Sequence, residues 1–204
     1  CRWHAIGISI VISWTLLRTI AMAKLSWLQR LYWNHFSKPV SERALFLHVL
    51  EKPLTSVLEI GMGSGQRIAR LLALNASVSE LKPIRYTAID PFESNSDALA
   101  SGQGVLSLKA AHRILSERGV KAHLVPGEPA GSVARVAHSV LPSDLIIIDG
   151  YWENDDVHGQ AIAQWLPRLC HVQSTVFVSK KPGEAFVKVP VPSNAMPTMQ
   201  TKAA

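Results

Sequence analysis

Between residues 56 and 180, short apolar runs alternate with longer segments whose apolar side chains recur at helical spacing, and few folds accept that order. The runs are VLEI (57–60), RYTAI (85–89), AHLV (122–125), LIII (145–148) and TVFV (175–178), each too short for a stable helix. A strand buried on both faces reads as a nearly continuous apolar run, whereas a half-solvated strand alternates. Between the runs, Ile68, Leu71 and Leu72 share one helix face, as do Val105, Leu108, His112 and Leu115. The same holds for Val133, Val136 and Val140, and for Ala161, Ile162, Trp165 and Leu169. Strand–helix–strand repeats specify a parallel sheet covered on both faces, because a parallel crossover needs a connection of helix length. The expected class is α/β, with a doubly wound, mostly parallel sheet. After the fifth run only residues 186–189 look extended, so a shortened C-terminal strand pair is expected.

Local punctuation agrees with this order. Gly119 is placed to end a helix over 104–118 in a left-handed turn, and residues 130–140 form the next helix. Asp155 or Asp156 is placed to cap the last one, and Pro167 with Arg168 to end it. With 204 residues, 48% of them hydrophobic and 18% charged, the chain suffices for one packed domain, assigned to residues 56–190. Residues 22–55 form an N-terminal helical region with Leu25, Leu28 and Tyr32 on one side, and residues 191–204, rich in Pro, a flexible tail. Trp27, Tyr32, Trp33, His35 and Phe36 give that region an aromatic stripe, for which core or dimer packing is the commoner use.

Residues 5–17 are apolar but short of the roughly 20 residues that span a membrane. They suit a signal or anchor segment; the favoured reading makes Met22 the natural start and residues 1–21 upstream translation. Membrane association would enter only through that segment, and a cytoplasmic setting is expected, since Cys1 and Cys170 have neither zinc-site nor disulfide spacing. The net charge of +6 is scattered, its longest basic run being Lys180 and Lys181, which argues against a nucleic-acid groove.

The strongest local signal is Glu59-Ile60-Gly61-Met62-Gly63-Ser64-Gly65, after one strand and before a helix. Glycine lets backbone approach a ligand closely, and the free amides at a helix start can bind an anionic group. A dinucleotide fingerprint beginning at Gly61 needs glycine at position 66, where Gln66 stands, so ExGxGxG fits the spacing better than GxGxxG.

VLEIGMGSG resembles motif I of the class I S-adenosylmethionine-dependent methyltransferases, a Rossmann-like family, and the likeness extends over residues 56–180, about three-fifths of the chain. The resemblance implies S-adenosylmethionine as cofactor, with Gly61, Gly63 and Gly65 passing under it and Glu59 ordering the loop and the methionine amino group. It assigns Asp90, at the end of YTAID, to the ribose hydroxyls, which a carboxylate's paired oxygens suit. Glu128 would meet the adenine, although a helix-capping acid explains it nearly as well. Asp149, at the end of DLIIID, lies where this architecture opens to substrate and is a candidate at both the cofactor and the chemical end. Small-molecule O-methyltransferases, the branch it most resembles, often bind a divalent cation there. Here Ser179, Lys180 and Lys181 replace the completing Asp-Asn pair, so no metal is expected.

His158, in a polar cluster with Glu153, Asn154, Asp155 and Asp156, is a candidate base by its ordinary pKa alone. The expected activity is methyl transfer to a small-molecule acceptor. The alternatives are a nicotinamide-dependent oxidoreductase on a similar sheet, or a non-catalytic relative that binds the cofactor or a partner.

Overall fold

The computed structural model describes residues 31–33, 35–78, 83–94, 106–152 and 156–197. It divides into two compact units, residues 1–39 and 40–204. In the first, Tyr32 stacks on Phe36 with ring centroids 6.3 Å apart and meets the edge of Trp33 at 5.7 Å. Tyr32 and Phe36 are exposed. Trp27, Leu25, Leu28 and the apolar residues 5–17 lie outside the described residues.

The second unit is a six-stranded sheet in the order β3-β2-β1-β4-β5-β6. Its strands are β1 (Ser56–Ile60), β2 (Arg85–Asp90), β3 (Lys121–Pro126), β4 (Ser143–Asp149), β5 (Cys170–Ser179) and β6 (Val187–Val189). The first five run parallel, and β6 pairs antiparallel with β5. The helices are α1 (Arg43–Glu51), α2 (Gln66–Val78), α3 (Leu108–Ser116), α4 (Pro129–Ser139) and α5 (Val157–Leu169). The doubly wound, mostly parallel class follows as expected, and of the shortened strand pair one member is present, β6.

Alternation along the strands divides the core. Leu58, Ile60, Ile146 and Ile148 point to the face covered by Val133 and Val136 of α4 and by Ile162 and Leu166 of α5. The intervening residues point to the other face, where Glu59 meets Arg67 of α2 and Phe177 meets His48 of α1. Ile146 and Ile148 have no exposed surface, so truncating either to alanine removes about 2–5 kcal/mol.

Several boundaries move for identifiable reasons. In α3, Ser107 caps the start by accepting from Ala110 N–H at 3.2 Å, while residues 104 and 105 of the expected helix lie outside the described residues. Its end is closed by Val120 N–H on Leu115 O at 3.2 Å, with Gly119 at φ +68°. Helix α5 runs to Leu169, one residue beyond the Pro167–Arg168 pair placed to end it, with Pro167 inside the helix at the cost of its own backbone hydrogen bond. Strand β5 begins at Cys170, five residues earlier than the apolar run, and is irregular between Ser143 and Leu145 of its partner. The segment expected as a flexible tail is held as far as Met196, whose N–H bonds Cys170 O at 3.1 Å and whose O accepts from Val172 N–H at 3.2 Å. Among the described residues no helix is long and apolar enough to cross a membrane.

His48 makes this packing pH-dependent. Burial first, then Lys52 and Lys188, lower its pKa from 6.5 to about 4, against a weaker pull from Glu51. Between those values the unfolded chain takes up a proton that folded His48 refuses, so its contribution to stability is complete above pH 6.5 and declines as pH falls toward 4. Urea unfolding at pH 7.5 and pH 5 should show a loss on acidification that is smaller in His48→Phe. An identical loss in both proteins would remove His48 from the explanation.

Candidate functional site

The glycine loop joins β1 to α2 at the carboxyl ends of the strands, beside the point where the chain order reverses between β1 and β4. That crevice is where open parallel sheets admit ligands. Gly61 is required there: it has φ +83°, and a Cβ would stand 2.5 Å from Asp149 O and 3.3 Å from the Tyr151 ring. Gly63 also has positive φ, +59°, but a Cβ would meet nothing within 4 Å. The loop is thus packed tightly at its first glycine and open at its second.

Asp90 reaches this loop from the end of β2. Its Oδ2 accepts from Gly63 N–H at 3.1 Å and its Oδ1 from Phe92 N–H at 2.7 Å. Gly127 N–H, beyond β3, donates to Asp90 O at 3.1 Å. One aspartate therefore ties together the glycine loop, its own turn and the next strand end. Each carboxylate oxygen retains capacity for a further donor.

Glu59 lies deeper than its expected contact with a cofactor amino group would require. It has no exposed surface, and its oxygens accept from Arg67 Nε at 2.6 Å and from the Tyr86 hydroxyl. Burial pushes its carboxyl pKa up, while Arg67 and the Tyr86 hydroxyl pull it back. Arg67 also donates Nη1–H to Asp149 Oδ2 and Nη2–H to Gly61 O, each at 2.6 Å, and its guanidinium lies 5.0 Å from the Phe186 ring centroid. Leaving two carboxylates without this partner would cost about 3–5 kcal/mol, the usual penalty for an orphaned buried charge. Arg67 belongs to no motif, and sequence reasoning missed it. Its spacing from Leu71 and Leu74 was the available signal, since that places it on the buried stripe of α2.

Asp149 is engaged as well: Oδ2 takes Arg67, and Oδ1 takes the Ser179 hydroxyl at 2.6 Å. His158 plays a structural part. Its Nδ1 accepts from Ala130 N–H at 3.2 Å, which caps α4 from the neighbouring helix and uses the single lone pair of the neutral ring. Its Nε2 faces Glu128 Oε2 at 3.9 Å, and its ring meets the edge of Tyr151 at 5.4 Å. Glu128 itself sits at the N-cap position of α4 without a side-chain capping bond, exposed. Asp156 holds the N-cap position of α5, likewise without one. Glu153, Asn154 and Asp155 lie outside the described residues.

Tyr151 carries no motif signal of its own, yet it borders the loop. Its hydroxyl is pushed up to about 12 by burial and by the carboxylates of Glu128, Asp90, Asp149 and Asp156. A cavity of about 120 Å³ opens against the loop, lined among others by Ser41, Gly63, Ser64, Arg67, Asp149 and Phe186. A larger one of about 620 Å³ lies at the opposite, amino ends of β2 and β3, bordered by Leu72, Ala76, Ile84 and Val120. We place the site at the smaller, because it opens at the carboxyl ends of the strands, where the glycine loop, Arg67 of α2 and Asp149 of β4 meet.

No protein-family model and no curated protein sequence matches this chain. Among solved structures it is similar to an O-methyltransferase of Streptomyces achromogenes involved in tomaymycin synthesis, solved with S-adenosylmethionine, at 17% identity and TM-score 0.48, over 75% of this chain and 64% of that one. It is similar to a Podospora anserina methyltransferase bound to S-adenosylhomocysteine at 12% identity and TM-score 0.45, over 81% and 69% of the two chains. With YjhP of E. coli it shares 19% identity and TM-score 0.43, over 72% and 52%. The chain thus spans between about half and about two thirds of the length of these structures.

Proposed function

We propose that this chain binds S-adenosylmethionine across the loop from Glu59 to Gly65 and transfers its methyl group to a small-molecule acceptor, as a class I methyltransferase. One observation carries the reading: the carboxylate of Asp90 is hydrogen-bonded to Gly63 N–H, so a paired acceptor and an open glycine loop meet at the switch point of the sheet. The residues fit the cofactor, since the loop is open at Gly63, where a Cβ would meet no heavy atom within 4 Å, and Asp90 stands beside that opening. Asp90 would hold the ribose, Gly61 and Gly63 would underlie the methionine part, and Glu128 would reach the adenine.

The bound cofactor supplies an electrophilic methyl group on a sulfonium. What the chain itself must do is orient the reactants and exclude water, because in-line displacement by a nucleophilic acceptor needs no protein nucleophile. Its side chains are consistent with that division of labour, since Asp149 and His158, the candidates for proton transfer, are committed to Arg67 and Ser179 and to Ala130 respectively. A cytoplasmic setting suits Cys170, a buried free cysteine.

Calorimetric titration with S-adenosylmethionine, S-adenosylhomocysteine and NAD tests the reading. Saturable binding of the first two and none of the third is expected; binding of NAD alone would favour an oxidoreductase. Chelator should leave cofactor binding and turnover unchanged, because Ser179, Lys180 and Lys181 stand where the pair completing a cation site with Asp149 would be needed, and Asp149 is already paired with Arg67. Loss of turnover restored by adding magnesium back would contradict that.

A further inference from the structure

Among the described residues Arg67 is the only buried lysine or arginine. Neutralising Glu59 would need one contact; Arg67 makes three, to acceptors on three different segments. It holds β1 through Glu59, the glycine loop through Gly61 O, and the end of β4 through Asp149. The connection continues beyond it. Asp149 accepts the Ser179 hydroxyl at the end of β5, and its backbone oxygen is the atom that excludes any side chain at Gly61. Arg67 also lines the cavity that opens against the loop.

We infer that Arg67 is a positioning residue that locks the glycine loop to the end of β4, fixing the loop carbonyl and amides in the arrangement that receives the cofactor. The inference rests on the S-adenosylmethionine reading above. A guanidinium is suited to this role because its planar fork offers donors in several fixed directions. A lysine ammonium is a point charge on a flexible stem and does not hold Glu59, Gly61 O and Asp149 in one geometry.

The test separates positioning from charge balance. Wild type, Glu59→Gln, Arg67→Lys and the double variant Arg67→Met/Glu59→Gln are titrated with S-adenosylhomocysteine and melted without it. The double variant no longer carries the Glu59 carboxylate and orphans only that of Asp149, which keeps the Ser179 hydroxyl, so it should remain folded while melting below Glu59→Gln. Its affinity should nonetheless be weaker than that of Glu59→Gln by at least about tenfold, the scale on which small misplacements act. Equal affinity in those two proteins would show that Arg67 only neutralises charge. Should the double variant fail to fold, Arg67→Lys decides: folded protein with at least about tenfold weaker binding supports positioning, and wild-type affinity overturns it. A wild-type protein that does not bind S-adenosylhomocysteine at all would overturn the cofactor reading, and this role with it.

Discussion

Gly63→Val should weaken S-adenosylmethionine binding by at least about a hundredfold, a loss of about 2.7 kcal/mol or more. The ligand-free protein should remain folded. Both parts follow from the same geometry. With φ at +59°, a side chain at this position incurs the left-handed penalty of about 1–2 kcal/mol, but it strikes nothing, because no heavy atom lies within 4 Å of its Cβ. On the proposed function, the space it enters is where the cofactor would lie. Gly61→Val is the contrasting case: its Cβ would lie 2.5 Å from Asp149 O, so the fold should suffer along with binding. Circular dichroism and calorimetry on the two variants distinguish these effects. Wild-type affinity in folded Gly63→Val would remove the loop from the site.

Asp90→Ala is expected to weaken the cofactor by about ten- to a hundredfold, because a charge-assisted hydrogen bond of the kind a ribose would form is worth about 1.5–3 kcal/mol. A strand-end acid that only faced the ribose would leave the ligand-free protein untouched. Asp90 does more: it accepts from Gly63 N–H and Phe92 N–H, and Phe92 sits at φ +50°. Loss of the carboxylate should therefore also lower the melting temperature by a few degrees, since about 1 kcal/mol corresponds to about 2–4 °C in a domain of this size. Affinity measured well below the melting transition isolates the ribose contact. Unchanged affinity there, with the melting temperature lowered, would reduce Asp90 to a turn-ordering residue.

The order of strands and helices was legible because burial on both faces leaves β1, β2, β4 and the end of β5 as apolar runs, and each intervening helix shows its stripe. The first half of β5 was not, since Gln173 and Ser174 interrupt it and its hold on the sheet comes from backbone bonds to Met196 and from Ser174 to Ser143 O. Pro167 and Arg168 set the end of α5 one residue early, because a proline removes its own N–H bond without obliging the residues after it to leave the helix. At the site, Gly61 and Gly63 were readable from type and spacing, because positive φ and close approach select glycine. The partners of Glu59, Asp149 and His158 were not. A carboxylate at a strand end looks the same in sequence whether it faces a ligand or a buried guanidinium, and Arg67 decides that for two of them.

The most direct test of the central claim is a nuclear magnetic resonance titration of the labelled protein with S-adenosylmethionine, following backbone amides. Saturable shifts are expected in Gly61, Gly63, Gly65 and Phe92, with little change at Ile84 and Val120 beside the larger apolar cavity. Shifts confined to that cavity, or none at the glycine loop under saturating cofactor, would contradict the claim.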